Sequence, residues 1–399
     1  MRPWDESHAR TRKAVGVKVL FLPRPDWKVA FGGDTVQMNA TAVQLRKAGI
    51  QVDIDRPERI NAGDYDVVHV WTSLQMPSEL LADVTALQSV RTGTKVVLSP
   101  VWAPQHTLRW MFCVRQWFFE KHTDLATLSL ENAAQDLQTI SNRSLNFQTP
   151  NGTVQPFQTD PLAVQLRGVL KNVDMVLPNS WMELQAIHEH IGVVCDFHIV
   201  PNAVDTELFL AADASTAVPE ELRGVPFALM SARFDARKQQ DFVMLALKDL
   251  DIPLVFAGAV ADQPIFDRFK ALAANRKTGV YYVPRLEQAA LRSLYAAARV
   301  HFMPSIFESP GLSSIEAALL DCSVVVGGIA FETEYFRDEA YYCDPCDVWS
   351  IRKAVKCAFD NYDADAGRRQ ALRSRIIDRY TWQQAAAQTA RAYDKVLAQ

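Results

Sequence analysis

At 399 residues the chain exceeds the size at which one hydrophobic core stops growing, and with 49% hydrophobic residues it can fill two. A net charge of -4 excludes a nucleic-acid-binding face spread over the whole surface, and no apolar run approaches the ~20 residues that span a bilayer. Six scattered cysteines, several in apolar runs, read as buried free thiols of a reducing compartment. The apolar run VGVKVLFLP is short, follows a charged leader and ends in proline rather than at a small-residue cleavage site. It is therefore not read as a signal peptide, and a cytoplasmic protein is expected. The Asn-x-Ser/Thr triplets at Asn39, Asn142 and Asn151 are then accidental.

Residues 1–14 are polar and aperiodic and read as a leader. From Val15 apolar runs alternate with amphipathic segments: VGVKVLFLP as strand, DTVQMNATAVQLRKAG as helix, IQVDI and YDVVHVWT as strands, PSELLADVTALQSV as helix, KVVLSPVW as strand. That alternation predicts an α/β domain with a parallel sheet covered by helices on both faces. In the loop after the first strand, RPDWKVAFGGD, Gly32 and Gly33 either let the backbone approach a ligand or simply turn the chain, and Asp34 is placed to cap the next helix.

Residues 106–122, HTLRWMFCVRQWFFEKH, set Trp110, Phe112, Trp117, Phe118 and Phe119 among Arg109, Arg115 and Lys121. Two readings stay open for this helix. At the mouth of the first domain it suits a peripheral membrane contact on the inner face of the membrane; alternatively its aromatics are core. Residues 141–160 are polar and turn-rich and read as an inserted loop or lid. VDMVLPNSWMELQAI reads as strand into helix, FHIVPNAVDTELF as a strand leading out of the domain, and AADASTAVPEELRG as a linker.

The second half repeats the rhythm with PFALMSAR, QQDFVMLALKDL, IPLVFAG, a helix over 262–275, GVYYVP, QAALRSLYAAA and VHFMPS. Helices over roughly 347–361 and 366–379 and a last helix follow. Within it, HFMPSIFESPGLSSIEAALLDCSVVVGG, residues 301–328, reads as strand, turn, helix, strand. The helix opens just after Ser309-Pro310-Gly311, so its first-turn amides are free for a phosphate or sugar hydroxyl, with Glu308 at the lip and Glu316 inside the helix.

This stretch resembles the signature of the retaining family 4 glycosyltransferases, the glycosyl transferases group 1, in which two glutamates separated by seven residues bracket a Phe-Gly-Leu turn. Glu308, Gly311, Leu312 and Glu316 match; Pro310 stands where Phe is usual. SARFDARK resembles the family's Gly-Arg...Lys element through Arg233 and Lys238, with Ser231 for the usual glycine. Pro178-Asn179-Ser180 and Val200-Pro201-Asn202 with Val204, Asp205 and Phe209 resemble further landmarks.

The resemblance implies a GT-B-type fold: two Rossmann-like doubly wound domains facing a cleft. The first covers 15–205 and takes back the last helix, 383–399; the second covers 206–382. It implies metal-independent transfer from a nucleotide-sugar donor, such as a UDP- or GDP-sugar, to a carbohydrate or lipid-linked acceptor in surface polysaccharide or glycoconjugate assembly. No cofactor is expected. Arg233 and Lys238 would stabilise the leaving diphosphate. Glu308 would meet the sugar, Glu316 the ribose, Arg285 and Leu286 the base, and Gly32, Gly33, Gly258, Gly311 and Leu312 would line the donor site. Glu334 falls where the family has a further glutamate. The family's first-domain histidine is missing at Ser99-Pro100-Val101-Trp102, with His106 the nearest candidate; His69 reads as a core histidine.

Two rival functions share the fold: a non-catalytic sugar-nucleotide-binding protein and a nucleotide-sugar epimerase. The Asp-x-Asp pairs at Asp53/Asp55, Asp64/Asp66 and Asp363/Asp365 read as surface turns rather than metal ligands. Cys343 and Cys346 lack the second pair that zinc requires. No GxGxxG follows the first strand, against a dinucleotide oxidoreductase.

Overall fold

The computed structural model describes residues 16–29, 32–56, 61–73, 77–89, 93–102, 105–125, 127–145, 161–192, 195–211, 217–328 and 331–399. The leader, most of the 141–160 loop and part of the linker lie outside them. The chain divides into two compact units, Met1–Trp102 with Gln155–Pro201 and Trp382–Gln399, and Ala103–Val154 with Asn202–Thr381.

The first unit holds strands β1 (Lys18–Pro23), β2 (Gln51–Ile54), β3 (Val67–Ser73), β4 (Lys95–Val101) and β5 (Met175–Val176), all parallel, in the order β2-β1-β3-β4-β5. Residues 19–22 of β1 are wholly buried, as expected for a strand covered on both faces. Helices α1 (Gly33–Lys47) and α2 (Pro77–Ser89) belong to this unit. The strand order reverses at β1, so the Gly32-Gly33 loop leaves the sheet at its topological switch point.

Helix α3 (Gln105–Lys121) falls in the second unit rather than the first domain, and α4 (Leu130–Leu145) joins it there, its last turn occupying residues 141–145 that the sequence reading places in the loop. The described side chains of α3 serve packing. Phe118 is buried edge-on to Phe242, Arg115 donates to both oxygens of Asp241 (2.7 and 2.6 Å), and Lys121 pairs with Asp136 (2.6 Å). Arg115 and Arg268 lie 4.8 and 4.6 Å from the centre of the Phe119 ring. The core-helix reading fits Arg115, Phe118, Phe119 and Lys121, while the side chains of Arg109 and Trp110 lie outside the described residues. Among the described residues no helix is long and apolar enough to cross one.

Helices α5 (Pro161–Leu170) and α6 (Trp181–Ile191) complete the first unit's middle segment. Ser180 caps α6, and the carboxylate of buried Glu183 accepts from the backbone of Trp102 and Asn179. The second unit continues with α7 (Thr206–Leu210), β6 (Ala228–Ser231), α8 (Gln240–Leu247), β7 (Leu254–Ala257), α9 (Gln263–Ala273), β8 (Val280–Val283) and α10 (Gln288–Ala297). Then come β9 (Val300–Met303), α11 (Leu312–Leu319), β10 (Ser323–Gly327), α12 (Glu332–Phe336), β11 (Tyr341–Cys343), α13 (Val348–Asp360) and α14 (Ala366–Arg379). Its six strands are parallel in the order β11-β10-β9-β6-β7-β8.

Side chains alternate across this sheet. Ala228, Met230, Leu254, Phe256 and Phe302 pack with α8, α9 and α13 on one face, while Leu229, Val255, Val324 and Val326 pack with α10, α11 and α14 on the other. The last helix, α15 (Trp382–Leu397), packs on α1 of the first unit.

Candidate active site

The second sheet changes its direction of growth between β6 and β9. Helix α8 after β6 and helix α11 after β9 lie on opposite faces, so the loops at the carboxyl ends of these strands stand at the sheet's topological switch point, where ligands of open parallel sheets bind. The residues singled out most strongly by the sequence sit in those two loops.

In the loop after β6, Asp235 organises the turn. Its Oδ1 accepts from the amides of Arg237 (3.1 Å) and Lys238 (3.0 Å), and its Oδ2 accepts from Arg233 Nε (3.2 Å). Gln239 takes a left-handed conformation (φ 46°), and its Nε2 donates to the carbonyls of Pro304 (2.8 Å) and Pro345 (2.6 Å). A non-glycine residue in that region is strained and is held by its surroundings. The Ile306 amide donates to the Arg237 carbonyl at 2.9 Å, tying the two loops together.

Glu308 is only 4% exposed and forms an ion pair with Lys238 Nζ; Arg237 lies 3.2 Å from its other oxygen and also donates to the Phe307 carbonyl at 3.0 Å. Burial opposes ionisation of Glu308, but Arg237 and Lys238 outweigh it and hold the carboxyl below its ordinary range. Burial in turn presses the Lys238 amine below its ordinary value, with Glu308 opposing. Arg237 was missed by the sequence reading, which paired Lys238 with Arg233; Arg233 is half exposed and engages Asp235 instead. No spacing rule marks Arg237, because its role comes from the turn that Asp235 builds.

Glu316, on α11, has different surroundings. Its Oε2 accepts from Tyr295 Oη at 3.0 Å and its Oε1 has a long contact from Gln288 Nε2 at 3.4 Å. Burial pushes its pKa up to about 7, although both hydrogen bonds pull it down. One signature glutamate is thus held ionised between cations, and the other titrates near neutrality.

Gly311 caps α11 with φ 86° and no side-chain cap, which leaves the first-turn amides without a side-chain acceptor, and Leu312 opens the helix half-buried. The Ser309–Pro310 bond is cis, and Asn202 Nδ2 donates to the Ser309 carbonyl at 2.7 Å, so the Pro201-Asn202 landmark braces the loop. At Gly258, after β7, a Cβ would lie 2.1 Å from the Ala232 carbonyl oxygen. Arg285 and Leu286 follow β8, the first exposed and the second half-buried against the α10–α11 core.

Glu332, rather than Glu334, is coupled to this cluster. It is fully buried, its carboxylate oxygens have no hydrogen-bond partner among the described residues, and burial raises its pKa well above the usual range, with Glu308 adding to the rise and Lys238 and Arg237 opposing it. Its Oε1 lies 3.9 Å from where a Gly327 Cβ would stand.

In the first unit Gly32 caps α1. A Cβ there would meet Asp34 Oδ1 at 2.8 Å, and Asp34 does not cap the helix but accepts from Arg24 Nε at 2.6 Å. Gly33 opens α1. His69 is a satisfied core histidine, bonded to Tyr393 Oη (2.7 Å) and Ser99 Oγ (2.8 Å), and burial lowers its pKa to about 3. His106 lies in the first turn of α3, in the second unit, and its side chain lies outside the described residues. The Asp-x-Asp residues serve local bonds: Asp53 accepts from Tyr65 Oη at 2.8 Å, Asp66 from the Lys18 amide at 2.7 Å and Asp365 from Tyr341. All six cysteines are free thiols.

Residues 215–377 match the family described as glycosyl transferases group 1. The chain is 28% identical over 222 residues to alpha-maltose-1-phosphate synthase of Mycobacterium tuberculosis, across 50% of this chain and 57% of that one. It thus spans little more than half the length of this relative. Among solved structures, sucrose-phosphate synthase from Thermosynechococcus elongatus superposes with a TM-score of 0.69 at 15% identity, covering 96% of this chain and 99% of that one. Anabaena HepE in complex with UDP-glucose gives 0.66 at 14% identity, covering 94% and 100%. Residues 215–377 thus match the glycosyl transferases group 1 family, and the chain shares its fold of two parallel-sheet α/β domains with these solved structures.

Proposed function

We propose that the protein is a retaining glycosyltransferase that moves a sugar from a nucleotide-sugar donor, a UDP- or GDP-sugar, to a carbohydrate acceptor. The observation that carries this reading is the cluster at the carboxyl ends of β6 and β9, where Arg237 and Lys238 converge on Glu308 beside the uncapped N-terminus of α11. Arg233, Arg237, Lys238 and the α11 amides neutralise the diphosphate as it leaves, so no divalent metal is needed. Glu316 binds the ribose and Glu308 the sugar, while Arg285, Leu286, Gly258, Gly311 and Leu312 border the base and diphosphate. Within the first unit, Gly32 and Gly33 are the positions where the backbone can come close to a phosphate or an acceptor.

The acceptor hydroxyl attacks the anomeric carbon on the face the leaving group occupies. The new C–O bond forms as the bond to phosphate breaks, and the hydroxyl proton passes to the departing phosphate oxygen. The relative's name, a maltose-1-phosphate synthase, and that of the structural neighbour, a sucrose-phosphate synthase, favour sugar phosphates as the first acceptors to test, beside oligosaccharides and lipid-linked acceptors of polysaccharide assembly.

The test is a panel of nucleotide sugars assayed for nucleoside diphosphate release with and without these acceptors, in chelator. Acceptor-dependent release with an unchanged anomeric configuration is expected. Donor converted to its epimer without release would make the protein an epimerase, and tight donor binding without turnover would make it a binding protein.

A further inference from the structure

Tyr295 is buried with 0% exposure on α10, and its hydroxyl donates to Glu316 Oε2 at 3.0 Å. The phenol is locked in place. Its ring packs against Phe209 (6.2 Å between centroids) and edge-on to His301 (5.7 Å), and the Ser231 hydroxyl at the end of β6 reaches the same oxygen. The packed ring fixes the position of the phenol oxygen beside Oε2, and Oε1 is left with only the long contact from exposed Gln288.

Other charged groups around α11 are engaged elsewhere. From α14, Arg369 pairs with Asp321 and Arg375 with Glu339; from α10, Arg292 donates to the Leu208 carbonyl at 2.9 Å. Glu207 of α7 is exposed, Cys322 donates to the Tyr295 carbonyl, and His301 of β9 is held neutral by burial. Glu316 therefore has no ion-pair partner among the described residues, and its ionised form depends on neutral donors, of which the Tyr295 hydroxyl is the shorter and more buried.

We propose that Tyr295 is a positioning residue for nucleotide binding: its hydroxyl fixes Glu316 Oε2 and so presents Oε1, ionised, to the ribose hydroxyls of a nucleoside diphosphate. The inference rests on the reading of Glu316 as the ribose-binding group and deepens it. Removing the hydroxyl removes a bond that favours the carboxylate, so Glu316 would hold its proton to higher pH than its present pKa of about 7.

The test is titration of the intact protein with UDP and with GDP at pH 7 and pH 9. Tyr295→Phe weakens binding of whichever nucleotide the wild type takes up by about tenfold at pH 7, as for loss of a hydrogen bond to a charged group, and by less than about threefold at pH 9, where the carboxylate ionises without help. Glu316→Gln weakens it at both pH values, and adding Tyr295→Phe to Glu316→Gln changes nothing further, because the tyrosine acts through the carboxylate. An equal loss at both pH values, an added loss in the double variant, or wild-type binding by Tyr295→Phe overturns the inference while leaving the nucleotide reading standing. Failure of the wild type to bind either nucleotide, or wild-type binding by Glu316→Gln, overturns that reading and this inference with it.

Discussion

Lys238 and Glu308 form a buried ion pair, with side chains 10% and 6% exposed, so replacing either is expected to cost stability as well as activity. Removing one member of such a pair leaves an uncompensated charge at about 3–5 kcal/mol. Arg237, 3.2 Å from the other Glu308 oxygen, offsets part of this when Lys238 is lost, which puts Lys238→Met nearer about 2–3 kcal/mol. Glu308→Gln is the more costly change, because Arg237 and Lys238 are then left facing each other. In the double variant neither the pair nor the orphaned carboxylate remains, so its cost falls below the sum of the single ones by about 2 kcal/mol. With about 2–4 °C of midpoint per kcal/mol for a domain of this size, Lys238→Met lowers the melting midpoint by about 5–10 °C and the double variant recovers several degrees against additivity. Thermal unfolding of the four proteins by circular dichroism at pH 7 checks this. Costs additive to within about 0.5 kcal/mol would refute the coupling.

Gly258→Ala drives a Cβ to 2.1 Å from the Ala232 carbonyl oxygen at φ 153°, so the backbone of the β6 or β7 loop must shift; a loss of about 3 kcal/mol or more is expected in the melting midpoint. Burial holds both His69 and His301 near pKa 3, against 6.5 when unfolded. Each therefore contributes stability that is full above pH 6.5 and lost as pH falls toward 3, at about 1.4 kcal/mol per pH unit, and His301→Leu should remove one histidine's share of that slope. Glu332 has the opposite sign: its raised folded pKa gives stability that is present below its unfolded value of 4.5 and lost as pH rises. Glu332→Gln should therefore melt higher than wild type at pH 8 and close to it at pH 4; a lower midpoint at pH 8 would contradict the buried, unpartnered carboxyl.

Much of the fold was legible because parallel strands covered on both faces read as unbroken apolar runs, so β1, β9 and β10 were placed from sequence to within a few residues. Glu308, Gly311 and Glu316 were legible because one strand-turn-helix unit carries them in a single stretch. What escaped depends on contacts distant in sequence. Lys238 meets Glu308 across two loops that only the β6–β9 neighbourhood brings together, and Tyr295 finds Glu316 from another helix. Arg237 is set by a turn around Asp235, and Glu332 by burial that no local pattern records. Helix α3 was assigned to the first domain because its neighbours in sequence belong there, whereas Arg115 and Phe118 pack on Asp241 and Phe242 of the second unit.

If the carboxyl ends of β6 and β9 handle the nucleotide sugar, Lys238 and Glu316 must both act on the donor. The most direct measurement is the initial rate of nucleoside diphosphate release from the preferred donor, in chelator, by wild type, Lys238→Ala and Glu316→Ala, with melting midpoints recorded alongside. A fall in turnover on the order of 10² or more in both variants is expected, as for removal of a preorganised electrostatic group, under conditions where each remains folded. Near-normal turnover in both, or wild-type activity abolished by chelator and restored by a divalent ion, would contradict the account.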